Sequence, residues 1–165
     1  MGLHKKYKWR NIKLKAENIN IFYDTLKNTF QEVLGAGVER GDLDKSSEED
    51  LVDKTNLYVK IEGDLEGHFY LSLPEETALT IVEKMAGMAP DEIDSFARSA
   101  ISELGNMIAG RISSKFYSQG EEISSSPPEV IADAGAEEVD LFGEAFILIP
   151  VASDIGKLQM HISLS

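Results

Sequence analysis

The chain has 165 residues, 42% of them hydrophobic and 27% charged, and no cysteine; that is enough for one domain with a real core, and it excludes a disulfide scaffold, a thiolate metal site and a cysteine nucleophile. The net charge of -13 is uneven, because residues 1–16 hold six of the sixteen Lys and Arg and no acid, leaving ten bases against 29 acids, or -19, over residues 17–165. A body so acidic repels phosphate backbones and anionic lipid, so neither nucleic acid nor membrane insertion is expected of it.

Residues 1–16 read as a basic N-terminal arm in which Tyr7 and Trp9 interleave with the bases, and residues 17–165 as a single domain. No apolar run approaches the roughly 20 residues that span a bilayer. Met1 to Lys6 carries charge with no apolar stretch behind it, so no leader is expected and a cytoplasmic location is the default reading.

From Glu17 to Leu34 apolar residues recur at spacings of three and four until Gly35 and Gly37 supply a stop, which predicts an amphipathic helix. Residues 39–53 are rich in Asp, Glu and Ser and read as an exposed loop, its acids lacking the central Gly and terminal Glu of a calcium site. Leu57 to Ile61 and His68 to Leu73 predict an antiparallel hairpin turning at Gly63, Asp64 and Gly67. Pro74-Glu75-Glu76 opens a second helix that runs to Gly87. A third, the longest, follows Pro90, with Asp91 as its cap and its end near Tyr117. After a turn at Ser124 to Pro128, strands are expected at Val130-Ile131, Val139 to Val151 and Leu158 to Leu164. The fold class is α+β: about three helices packed on a mainly antiparallel sheet. His68 and His161 fall in alternating strand patterns and read as surface histidines rather than metal ligands.

On a wheel of about 100° per residue, with Leu104 at the centre of the buried side, Ile93, Ala97, Ala100, Ile101, Met107, Ile108 and Arg111 lie within roughly 60° and form the expected core stripe. Ser99, Glu103, Asn106 and Gly110 stack together on one flank, about 100° to 160° away. A carboxylate and a carboxamide one turn apart, above a glycine that removes bulk, either solvate a surface helix or meet a partner.

The run from Ser99 to Gly110, followed by Pro127-Pro128, resembles the CheC/CheX/FliY family of chemotaxis phosphatases, whose signature is Ser or Asp, three residues, Glu, two residues, Asn, and a later Pro. Ser99, Glu103 and Asn106 match, with Pro127 and Pro128 slightly nearer than the common spacing. Lys15 to Asn20, the hairpin from Ile61 to Leu73, and Glu75 to Ala78 are also similar to CheX proteins. Glu17 and Asn20 repeat Glu-x-x-Asn, but Lys13 stands where Ser or Asp belongs, so they read as helix-start residues and the chain carries one site, as CheX members do.

The resemblance implies a CheC-like fold and hydrolysis of the phospho-aspartate of a CheY-like response regulator. Asn106 would orient the attacking water, since a carboxamide cannot serve as a base, and Glu103 would pair with the regulator's active-site lysine. It implies no cofactor or metal site of the protein's own, Mg2+ being supplied by the bound regulator. The alternative function is a non-enzymatic scaffold of the flagellar-switch type. A homodimer through the C-terminal strands is also expected, because Phe146 to Ile149 and Val151 are too apolar for an open edge and Pro150 blunts only one end.

Overall fold

The structure is a computed structural model that describes residues 15–41, 55–132 and 147–164. The N-terminal arm, most of the acidic loop and residues 133–146, including Phe146 and the first part of the expected strand from Val139, lie outside the described residues.

Helix α1 (Ala16–Thr29) runs into a π-helical turn, Phe30–Leu34, which ends at Gly35 with φ 62°. Left-handed backbone of this kind suits glycine, and the stop falls where the sequence places it. Strand β1 (Val38–Arg40) follows, at the start of a stretch expected to be loop. Strands β2 (Thr55–Gly63) and β3 (Gly67–Leu73) form the predicted hairpin. Helix α2 (Glu75–Ala86) ends at Gly87 in left-handed conformation, and α3 spans Ser95–Ser118. Beyond it come β4 (Ile123–Ser125), β5 (Glu129–Ala132), β6 (Ile147–Ser153) and β7 (Gly156–Leu164).

All described strand pairs are antiparallel, in the order β1-β6-β7-β3-β2, with β4 and β5 lying one after the other along the far side of β2. Ser124 and Ser125, expected to open a turn, instead lie with Ile123 in a short strand, fixed by Ile61–Gly63 and by Ser126, whose hydroxyl accepts from the Lys60 amide at 2.9 Å. Alternate residues of the sheet face the helices and form the core with them: Leu57 and Val59 on β2, Phe69 and Leu71 on β3, Met160 and Ile162 on β7, Ile149 on β6. Phe22 of α1 joins the layers, meeting Phe69 at 5.6 Å and Phe116 of α3 at 5.9 Å in edge-on geometry.

The second face of the sheet is buried as well along its middle. Leu148, His161 and Tyr70 lie side by side across β6, β7 and β3, and Tyr70 stacks on His161 with ring centroids 4.0 Å apart. The expectation of surface histidines is thus corrected: His161 is wholly buried and His68 nearly so. Burial holds His161 down to about 3, helped by the nearby His68, which burial itself lowers to about 4, so both rings are neutral near pH 7.

Candidate functional site

The site row rests on α3, whose N-terminus differs by a few residues from the sequence reading. Asp94, not Asp91, is the cap: its carboxylate accepts the Ala97 amide at 2.8 Å. Ile93 consequently precedes the helix and is only partly buried.

The buried side of α3 is formed by Ala97, Ile101, Leu104, Gly105, Ile108, Ala109, Ile112 and Phe116. Its centre lies about 70° round from Leu104, toward Gly105 and Ile112, at 100° per residue. Ala100, Met107 and Arg111, expected in the core stripe, stand half-buried at its margin. Arg111 instead ties α3 to the end of α1 and its π-helical turn, pairing with Glu32 of the turn at 2.8 Å and donating to the Thr29 hydroxyl of α1 at 3.3 Å. The reason for the rotation is Gly105. A Cβ there would stand 2.9 Å from Leu57 Cδ1 and 3.0 Å from Pro128 Cβ, so α3 sits closer to β2 and to the segment before β5 than any other residue would permit.

That rotation turns the polar row directly away from the sheet. Ser99, Glu103, Asn106 and Gly110 are all exposed. The Ser99 hydroxyl turns back on its own helix, donating to the Ser95 carbonyl at 3.0 Å. Glu103 and Asn106 have no side-chain hydrogen bond or ion pair among the described residues, so both heads remain available. A Cβ built at Gly110 meets nothing within 4 Å. Beside Gly110, Thr25 and Asn28 of α1 face Arg111 and Ser114 of α3 across an open cleft of about 390 Å³.

The two prolines divide in role. Pro127 is exposed, whereas Pro128 is half-buried against the back of α3 at Gly105, the residue immediately before Asn106. The sequence reading overlooked Gly105, although a glycine inside a long helix is itself a signal of close packing. Glu17 and Asn20 are both exposed on the first turns of α1, where the Asn20 oxygen accepts from Arg40 at 3.5 Å.

Residues 57–152, which include α3 and both prolines, match the family model described as chemotaxis phosphatase CheX. The CheY-P phosphatase CheX of Thermotoga maritima is 32% identical over 120 residues, covering 72% of this chain and 77% of that protein. The chain belongs to the CheX family. Among solved structures, chemotaxis protein CheX from Vibrio vulnificus superposes with a TM-score of 0.76 at 18% identity, covering 91% of this chain and 100% of that one. A chain of the CheX-CheY-BeF3-Mg2+ complex from Borrelia burgdorferi does so with a TM-score of 0.75 at 22% identity, over 91% and 99%. These likenesses establish the CheC-like α+β fold. No group of three or more His, Asp or Glu converges as a metal site among the described residues, and none of their helices is long and apolar enough to cross a membrane.

Proposed function

We propose that this CheX-family member dephosphorylates the phospho-aspartate of a CheY-like response regulator, with Glu103 and Asn106 as the site and residues 17–165 as the single domain that carries it. This rests on one observation: the two side chains stand one turn apart, exposed and without a hydrogen-bond or ion-pair partner among the described residues, on the outermost flank of a helix locked from behind through Gly105. A side chain that must enter another protein's active site cannot be committed to its own.

The reaction is in-line attack of water on the acyl phosphate. The new bond joins the water oxygen to phosphorus, the bond to the aspartyl oxygen breaks, and the products are the regulator's unmodified aspartate carboxylate and inorganic phosphate, which carries the protons of the water. Asn106 holds the water in line through its carboxamide and takes no proton. Glu103 pairs with a lysine of the regulator and fixes the angle at which α3 approaches. Mg2+ belongs to the regulator, in keeping with the composition of the Borrelia burgdorferi complex. Ser99 and Gly110 flank the pair, Gly110 admitting partner backbone where any side chain would stand in the way. Pro128 supports the helix from behind.

A homodimer through the C-terminal strands is part of this reading. Strand β1 covers β6 only over Val151–Ser153, with the Gly41 amide reaching the Pro150 carbonyl at 2.8 Å. Among the described residues Ile147–Ile149 are paired on the β7 side alone, which leaves an apolar edge for a second copy.

The test is the rate at which a phosphorylated CheY-like regulator loses its phosphoryl group, with and without the protein. Asn106→Ala should lower the accelerated rate by about 10² to 10³ while the far-UV circular dichroism is unchanged. A variant that retains the wild-type rate refutes the assignment.

A further inference from the structure

Three large apolar side chains are exposed among the described residues: Met88 in the loop before α3, and Phe96 and Tyr117 on α3 itself, at 66%, 46% and 72% exposure. The last two are not scattered. Phe96, Ser99, Glu103, Asn106, Gly110 and Tyr117 follow one another at heptad spacing and fall within a band about 80° wide, at 100° per residue, on the side of α3 opposite the core. The proposed site is therefore bracketed by aromatics, Phe96 seven residues before Glu103 and Tyr117 eleven after Asn106.

We infer that Phe96 and Tyr117 are the apolar anchors by which α3 grips the regulator, so that the docking footprint runs the length of the helix, with the chemistry in its middle. This rests on the function proposed above. Three lines of physics support it. At 1.5 Å per residue the two rings are about 30 Å apart along the axis, which matches the breadth of a standard protein interface of ~800 Å² per partner. Aromatic residues are enriched among the few that hold interfaces together, and water ordinarily drives such rings into a core unless a partner covers them. With a net charge of -13 the protein gains little long-range attraction toward a partner whose reacting pocket is acidic, so affinity must come from short-range apolar contact. A second copy of the chain on this stripe would cover Glu103 and Asn106, which the proposed reaction needs free.

The experiment measures regulator dephosphorylation against regulator concentration for wild type, Phe96→Ala and Tyr117→Ala, together with binding of the beryllofluoride-loaded regulator. Each truncation should raise the half-saturating concentration and the dissociation constant by about 5- to 30-fold, with the maximal rate within about twofold of wild type. Melting temperatures should be unchanged, since neither ring contributes to the core. Wild-type half-saturation and binding in both variants would overturn the inference while leaving the phosphatase reading intact. Conversely, a wild-type protein that binds the loaded regulator through both rings but hydrolyses nothing would uphold the inference and remove the catalytic reading. Light scattering completes the test: a dimer that dissociates on truncation of Phe96 or Tyr117 would assign the stripe to self-association and overturn it.

Discussion

Replacing Gly105 and Gly110 by alanine, one at a time, should move stability in opposite directions although the two lie barely more than a turn apart on α3. In a helix interior alanine is favoured over glycine by about 1 kcal/mol, and Gly110, where a Cβ meets nothing within 4 Å, should gain that amount in full. At Gly105 the same methyl would stand 2.9 and 3.1 Å from the two Leu57 methyls and 3.0 Å from Pro128 Cβ. Leu57 is wholly buried and cannot swing aside, so either it leaves its rotamer or the helix lifts from the sheet. Overpacking of this kind costs about 1–3 kcal/mol. Set against the helix gain, Gly105→Ala should be destabilised by about 1 kcal/mol, separating the two variants by about 2 kcal/mol. Urea denaturation with a shared slope measures the difference directly. Because the next residue is Asn106, a lifted helix should also lower the maximal dephosphorylation rate of Gly105→Ala. Both variants gaining stability equally would refute the claim that close approach at Gly105 positions the site.

Glu103→Ala should raise the half-saturating regulator concentration before it touches the maximal rate; a lowered maximum at unchanged half-saturation would move Glu103 into the chemical step. The buried histidines predict an acid-side loss of stability. His68 and His161 are held at about 4 and about 3 in the folded protein, so below the ordinary value of 6.5 the unfolded chain binds more protons and stability falls as the pH drops from about 6.5 to about 4 for His68 and on to about 3 for His161. His161→Gln should flatten that slope in urea titrations at successive pH values, and an unaltered slope would count against burial as the cause. Raising the salt concentration should leave half-saturation nearly unchanged or slightly lower, since the acidic body repels rather than attracts at long range; a steep loss of affinity with salt, followed by titrating the same assay, would contradict this. Sedimentation equilibrium at micromolar concentration should give twice 18.2 kDa if Ile147–Ile149 pair with a second copy, and a mass that stays at 18.2 kDa on concentration would remove the dimer.

Period and punctuation were enough for much of this protein. The helix ending at Gly35, the hairpin turning between Gly63 and Gly67, the helix opened by Pro74 and the long helix carrying Glu103 and Asn106 on one flank all follow from local residues, because helix and hairpin periodicity and glycine stops act over a few neighbours. Strands β1 and β4, three residues each, carry no readable period and exist only because Val151–Ser153 and Ile61–Gly63 pair with them. The burial of His161 and His68 was decided by coverage of the second face of the sheet, which alternation along a single strand cannot register. The rotation of α3 belongs with these. A wheel weighted by large apolar residues centres on Leu104, but the closest approach is made at Gly105, whose missing side chain lets the helix come up against Leu57 and Pro128. Which side chain a missing Cβ makes room for is settled by Leu57 and Pro128, 48 and 23 residues away in the chain, and so only tertiary structure could show how squarely the site row faces outward.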